Sequence, residues 1–285
     1  MQQLPPEIYT LIDMALSEDQ TFNDPTTYNL VPHQVIATGM LRSKAVGVSA
    51  GIDVAMEVFK RVDSTLLCEV LVSDGSHVVP GADLGRVSGS AGSILRGERI
   101  ALNFMQRMSG IASDTNKYVR EIEGSKARIV DTRKTLPGHR YLDKYSVRMG
   151  GGYNHRFNLA DGILIKDNHI EALSSQKMTL ADVVRLALEK ASHTIKVEVE
   201  VESLAQLKEA LDAGAHIIML DNMSVDNMRQ AMALVDGRAI IEASGGITLD
   251  SVKSVAETGV DLISIGSLTH SSSALDISLD LEYQN

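Results

Sequence analysis

The chain has a single cysteine, Cys68, among its 285 residues. That excludes an internal disulfide and a cysteine-built metal site, and it fits a reducing, cytosolic compartment. No apolar run approaches the roughly 18 residues that a membrane helix needs. The opening stretch "MQQLPPEIYTLIDMALSEDQ" has neither a basic leader nor an unbroken apolar core, so no signal peptide is expected. Gly-x-Gly-x-x-Gly and Walker loops are missing, which argues against a nucleotide-binding sheet. Positive charge is also short, with 27 Lys and Arg against 37 Asp and Glu and a formal net charge of −10. Nucleic acid is therefore disfavoured as a general partner. What remains is a soluble, cytoplasmic protein with 44% hydrophobic residues, enough for the core of one large domain or two ordinary ones.

The charge is not spread evenly. Residues 131 to 170, "DTRKTLPGHRYLDKYSVRMGGGYNHRFNLADGILIKDNHI", carry seven Lys or Arg against four Asp, together with three of the eight histidines. This stretch is +3 inside a chain that is −13 elsewhere. A small anion bound at one focused place is compatible with that pattern where a polyanion is not.

Leu4, Ile8, Leu11, Ile12, Ala15 and Leu16 recur at helical spacing and predict an opening amphipathic helix. Residues 34 to 110 read mostly as short strands with one or two helices, and "GSHVVPGADLGRVSGSAGSIL" reads as a glycine-punctuated β region. A long helix is expected from about Gly97, with Ile100, Phe104, Met108, Ile111, Thr115 and Tyr118 as its buried stripe. After residue 127 the rhythm changes. Short strands "ARIVD", "GILIK", "IKVEVE", "HIIML", "AIIEAS" and "DLISIG" alternate with amphipathic helical stretches. Six such units predict a (β/α) barrel, complete or incomplete, in preference to a doubly wound sheet.

Chemistry in such a barrel gathers at the C-terminal ends of the strands. The ends here read "VDTRK", "LIKDN", "VEVEVE", "MLDN", "EASGG" and "SIGS", each closing in charged, amide or glycine residues. In "EASGGIT", Ser244, Gly245 and Gly246 precede a helix whose Thr248 can serve as N-cap, and "SIGSLTHS" repeats the pattern around Gly266 one strand later. Backbone that closes on an oxyanion at a helix N-terminus makes a phosphate site, and late barrel strands often carry one. The alternative for either loop alone is an ordinary tight turn. Glu198, Glu200 and Glu202 alternate with valines, so they share a face. Glu200 with Asp221 on the next strand can hold a divalent ion such as Mg2+, bind sugar hydroxyls, or do general acid–base work. Arg133 and Lys134 end one strand and Lys166 the next, with His155 and Arg156 in a loop whose three glycines can wrap a ligand. Arg140, Lys144 and Arg148, four apart on an expected helix, read as its solvated face, with Lys144 and Arg148 partly turned inward.

The order "RGERIALNFMQRMSGIA", "DTRKTLPGHRYLDKYSVRMGGGYNHR", "LIKDNHI", "VEVEV", "LDN" and "EASGGI" resembles the quinolinate phosphoribosyltransferases, also called nicotinate-nucleotide pyrophosphorylases (carboxylating). The resemblance runs from "EDQTFNDPTT" almost to the end, with Asn23 departing from the Gly common before that Asp. It implies an N-terminal α/β sandwich, residues 1–110, completed by residues 272–285, and an incomplete α/β barrel with the active site over residues 111–271. It implies a homodimer in which Arg99 enters the partner's site. By the same likeness Arg133, His155, Arg156 and Lys166 hold the two carboxylates of quinolinate, and Lys134 meets phosphoribosyl pyrophosphate. Glu200 and Asp221 face the ribose and Mg2+, while Ser244, Gly245, Gly246 and Gly266 take the 5-phosphate. Lys134, Lys166, Glu200 and Asp221 are then the catalytic set.

Two other readings stand against this one. A barrel aldolase or isomerase would use Lys166 or Lys134 as a Schiff-base amine, but such a site needs one buried amine and few other cations. A non-catalytic oxyanion binder, like the relatives linked to molybdate transport, would not need the intact "LIKDNH" found here.

Overall fold

The structure, a computed structural model, describes residues 4–173, 175 and 177–284. Contacts divide the chain into two compact units: residues 1–116, 135–151 and 268–285, and residues 117–134 and 152–267. The expected division placed everything from 111 to 271 in the barrel. The structure instead assigns residues 135–151, from the middle of the basic stretch, to the first unit.

The first unit opens with α1 (Pro6–Glu18), which buries Ile8, Ile12 and Leu16 one turn apart, and α2 (Pro25–Leu30). Its strands are β1 (Ile36–Ser43), β2 (Gly47–Val48), β3 (Leu67–Val70), β4 (His77–Val78) and β5 (Asp83–Ser90), with α3 (Ile52–Val62) between β2 and β3. α4 (Ala91–Glu121) follows, and the chain's final strand, Ile277–Tyr283, pairs antiparallel with β1. That strand, β1, β5 and β3 form a four-stranded sheet in this order. The long helix starts at Ala91, six residues before the expected Gly97. "AGSIL" after a glycine-rich strand imitates β structure, but the Ser90 hydroxyl accepts the Ser93 N–H at 3.4 Å and serves the helix start.

The segment 135–151 explains its own placement. It forms α5 (Arg140–Met149), whose buried Asp143 accepts from Arg107 of α4 at 3.0 Å and from the Leu136 N–H at 3.1 Å. Tyr145 Oη donates to Asp74 at 2.8 Å, and the same carboxylate receives the N–H groups of Gly51 and Ile52 at the start of α3. Of the two side chains expected to turn partly inward from a solvated face, Lys144 goes further and is 1% exposed, whereas Arg148 stays exposed. The glycines expected to wrap a ligand do other work. Gly150 ends α5 so close to α4 that a Cβ would lie 2.3 Å from the Ala112 carbonyl oxygen, and Gly151 turns the chain at φ +88°.

The second unit contains the six strands expected after residue 127: β6 (Arg128–Val130), β7 (Ile163–Ile165), β8 (Val197–Val201), β9 (Ile217–Asp221), β10 (Ile240–Ser244) and β11 (Leu262–Ser264). The sheet is parallel throughout, with spatial order β6-β11-β10-β9-β8-β7. Between the strands run α6 (Asp167–Leu173), α7 (Leu180–Lys190), α8 (Leu204–Asp212), α9 (Val225–Val235) and α10 (Leu249–Ala256), and α11 (Ser267–His270) follows β11. Among the described residues β6 and β7 do not pair with each other, so the barrel stays incomplete. The free edge of β6 carries one isolated parallel bridge, Val130 to Tyr153. The chain's last strand, Ile277–Tyr283, is β12. No helix among the described residues is long and apolar enough to cross a membrane.

Candidate active site

Burial along β8 shows which way the barrel opens. Glu198 is 5% exposed, Glu200 is half-buried and Glu202 is exposed, while Val197, Val199 and Val201 are buried on the opposite face. The charged row therefore climbs from the interior to the C-terminal mouth, as a parallel barrel requires. At that end Lys166 Nζ, from the residue after β7, donates to Glu200 Oε2 at 2.7 Å. The Lys166 backbone N–H donates to His169 Nδ1 at 2.9 Å, which fixes the turn into α6.

The ends of β9 and β10 are tied together. Asp221 pairs with Ser244 in register, and the Asn222 N–H donates to the Ser244 carbonyl at 2.9 Å. Asn222 sits at φ +52° and donates its side-chain amide to Asp221 Oδ2 at 2.7 Å. Gly245, at φ +91°, lies against it: a Cβ there would fall 2.2 Å from Asn222 Oδ1 and 2.8 Å from its backbone nitrogen. Gly246 has φ +61° with nothing within 4 Å of an added Cβ. Thr248 occupies the N-cap of α10, its N–H donating to Ser251 Oγ at 3.0 Å. A glycine pair thus leads from a strand end into a capped helix, with one glycine pressed against protein and the other facing open space.

On the β6 side, burial and the nearby Arg133 both lower the Arg156 guanidinium from its ordinary pKa. Arg133 Nε is buried without a hydrogen-bond partner. Arg156 Nη1 donates to the Gly162 carbonyl at 3.1 Å, which sets its direction. Two guanidinium groups close enough to oppose each other's charge, one with an unused donor, suit an anion with more than one negative group.

Below them lie His155, Glu198 and Glu242. His155 Nε2 is 3.3 Å from Glu198 Oε2 and 3.5 Å from Glu242 Oε2. The spacing would suit a metal ion, but the histidine argues otherwise. The Arg156 N–H donates to His155 Nδ1 at 2.7 Å, so in the neutral ring Nε2 carries the proton and points it at the carboxylates. Both nitrogens of the ring expected to touch substrate therefore face protein. Glu198 and Glu242 line a cavity of about 510 Å3 with residues from the starts of the strands, including Arg128, Ile163, Ile217 and Leu262.

Burial, chiefly, and the Glu198 charge push the Glu242 carboxyl up from 4.5 to about 7. Asp131 adds to the rise, and His155 and the Ser264 hydroxyl oppose it. The sign follows from the raised folded value: below pH 4.5 both states hold the proton, and between 4.5 and about 7 only the folded state does. Stability from this group is thus fully present at the acid end and is lost as pH rises through about 7, by at most about 3 kcal/mol. Glu242→Gln should remove that loss, raising Tm at pH 8 by several degrees while leaving it nearly unchanged at pH 4.5. Melting curves of the two proteins across pH check this; parallel curves would remove the carboxyl from the balance.

Of the residues expected at the site, Arg133, Lys134, His155, Arg156, Lys166, Glu200, Asp221, Ser244, Gly245, Gly246 and Gly266 all belong to the second unit. Lys134 is exposed at the β6 end, where its N–H donates to Thr132 Oγ1 at 3.0 Å. Arg99 belongs to the first unit and is exposed on α4. Sequence reasoning passed over Asp131, Asn154, Asn222 and Glu242. Each stood inside a quoted motif, but the signal was confined to position, since nothing in "VDTRK" or "EASGG" tells a buried acid from an exposed one.

Comparison with known proteins agrees with this geometry along the whole chain. Residues 24–109 match the family described as "Quinolinate phosphoribosyl transferase, N-terminal domain", and residues 111–280 match its C-terminal domain. A Bacillus subtilis (strain 168) protein named probable nicotinate-nucleotide pyrophosphorylase [carboxylating] is 40% identical over 98% of this chain and 95% of its own. The Mycobacterium leprae nicotinate-nucleotide pyrophosphorylase [carboxylating] is 43% identical, covering 95% of both. Among solved structures, NadC from Streptococcus pyogenes superposes with a TM-score of 0.92 at 40% identity, covering 100% of both chains.

Proposed function

We propose, from the premise that this chain belongs to the quinolinate phosphoribosyl transferase family, that it transfers phosphoribosyl from phosphoribosyl pyrophosphate to quinolinate. Decarboxylation follows, and nicotinate mononucleotide, pyrophosphate and CO2 are the products, feeding NAD synthesis. The observation that carries this reading is the pair Arg133 and Arg156, two mutually opposed cations with Lys166 at the next strand end. Quinolinate brings two carboxylates on adjacent carbons, and a pair of guanidinium groups with an ammonium offsets both.

The residues divide the work. Arg133, Arg156 and Lys166 hold the dianion, with His155 fixing the backbone beside Arg156. The ring nitrogen attacks the anomeric carbon as pyrophosphate departs, and Glu200 and Asp221 stabilise the cationic character that develops on the ribose. The Gly245–Gly246 turn and Gly266 receive the 5-phosphate through backbone N–H groups, with Ser244 beside them. Lys134 meets the pyrophosphate. Once the ring nitrogen is quaternary, loss of the neighbouring carboxylate as CO2 leaves the electron pair on the ring carbon next to positive charge, so the substrate is its own electron sink. That carbon takes a proton from water to give nicotinate mononucleotide.

Glu200 and Asp221 fit a Mg2+ ion: they are hard oxygen donors on neighbouring strand ends, and the bonds to Lys166 and Asn222 use one oxygen of each. Bound there, Mg2+ would offset charge on the pyrophosphate. A Schiff-base role for Lys166 is disfavoured, since an ammonium paired with Glu200 at 2.7 Å is a poor nucleophile.

A drop-out assay tests the reading. Protein is supplied with phosphoribosyl pyrophosphate, Mg2+ and either quinolinate or nicotinate, while nicotinate mononucleotide and CO2 are followed. Product from quinolinate alone is expected; no product from either acid in folded protein would overturn it.

The proposal extends to a cytoplasmic homodimer in which Arg99 serves the partner's site. Arg99→Ala and Lys166→Ala subunits, each inactive alone, should recover activity when mixed and reassociated. Random pairing predicts about a quarter of the wild-type rate, because half the dimers hold one intact site of two. No recovery would place Arg99 in its own subunit's chemistry or outside it.

A further inference from the structure

The free edge of β6 carries a detail that the reaction outlined above does not use. Tyr153 runs beside this strand as a parallel neighbour: its N–H donates to the Ile129 carbonyl at 2.8 Å, and its carbonyl accepts the Asp131 N–H at 3.1 Å. The Arg128 guanidinium lies 4.7 Å above the centre of the Tyr153 ring and braces the same contact. In a regular parallel ladder the next bond would join the His155 N–H to the Asp131 backbone carbonyl. Here that N–H donates to the Asp131 side chain instead, Oδ1 at 2.9 Å, and Oδ2 accepts from Asn154 Nδ2 at 2.6 Å. The Asp131 side chain is fully buried.

Substituting a side chain for the main chain has a geometric consequence. The two backbones are free to part after Asp131, and the carboxylate still ties them together at the point of divergence. One branch turns through Thr132, whose Oγ1 accepts the Lys134 N–H, and presents Arg133. The other continues through His155, whose Nδ1 accepts the Arg156 N–H, and presents Arg156. The Arg133 and Arg156 side chains come from opposite sides of that fork.

We propose that Asp131 is a positioning residue that sets the spacing of Arg133 and Arg156, and with it the fit of the site to a vicinal dicarboxylate. The inference rests on the reading of the protein as a quinolinate phosphoribosyltransferase. It assigns Asp131 no contact with substrate. Both backbone branches carry a quinolinate-side arginine, whereas only the Thr132 branch also carries Lys134 of the pyrophosphate side, so the quinolinate side takes the larger disturbance.

Asp131→Asn tests it. The new amide still offers an oxygen to the His155 N–H, but it faces the Asn154 amide with a donor opposite a donor. The KM for quinolinate should rise by about tenfold or more, the loss of one charge-assisted bond, while the KM for phosphoribosyl pyrophosphate, reached only through Lys134, rises by less than about threefold. Asp131→Asn combined with Asn154→Asp restores the bond with its polarity reversed and should recover most of the quinolinate KM. A fold-maintaining role alone would move both KM values and kcat together with Tm, and that outcome would overturn the inference. So would a double variant no better than the single one. A wild-type protein inactive on quinolinate would instead remove the functional reading itself.

Discussion

Arg133→Ala is expected to cut kcat/KM for quinolinate by at least about thirtyfold while the protein stays folded. Removing one member of a buried, charge-assisted contact with a carboxylate typically costs about 2–5 kcal/mol, and each 1.4 kcal/mol is tenfold. The fold should not suffer, because Arg133 offers it little: Nε has no hydrogen-bond partner and the guanidinium works against the charge on Arg156. Tm should therefore hold or rise slightly. The clearest measurement is ligand-induced stabilisation, in which quinolinate raises the melting temperature of the wild type and has no such effect on the variant. Lys166→Ala should share the kinetic loss. A variant of either kind with wild-type kcat/KM would take that residue out of the pocket.

Gly245→Ala should weaken use of phosphoribosyl pyrophosphate by about a hundredfold or more and leave quinolinate binding nearly intact. A methyl group at this position would fall 2.2 Å from Asn222 Oδ1 and 2.8 Å from its backbone nitrogen. The backbone also sits at φ +91°, which an L-residue side chain opposes. To relieve the contact, the ends of β9 and β10 must separate, breaking the Asn222 to Ser244 bond and displacing Asp221. Gly246→Ala is the informative companion. Its φ of +61° costs about 1–2 kcal/mol without Gly, but nothing lies within 4 Å of its new methyl group. If a phosphate occupies that open space, Gly246→Ala should raise the KM for phosphoribosyl pyrophosphate out of proportion to its modest loss of stability. Equal, small effects from both substitutions would move the phosphate elsewhere.

Much of this was legible along the chain. Apolar segments of three to five residues, each closing in polar or glycine residues, announced the parallel strands β6 to β11 and the end on which chemistry would gather. Local sequence decides such matters because strand and helix periodicities are properties of neighbouring residues. The cationic island was legible for a similar reason: a cluster of seven Lys and Arg in an acidic chain is costly unless something anionic offsets it.

What only the tertiary structure decided is how that island is divided. Lys144 became a buried residue, and residues 135–151 joined the first unit through Asp143 and Arg107. Of three glycines in a row, Gly150 and Gly151 proved to serve helix packing and a turn. Asp131, an unremarked first letter of "DTRKT", emerged fully buried at the fork between the two arginines. The physical reason is common to all of them. Burial of a charge is settled by partners tens of residues away in sequence, as with Asp131 and Asn154 or Asp143 and Arg107, and the desolvation cost that makes those partners obligatory exists only once the chain has folded around them.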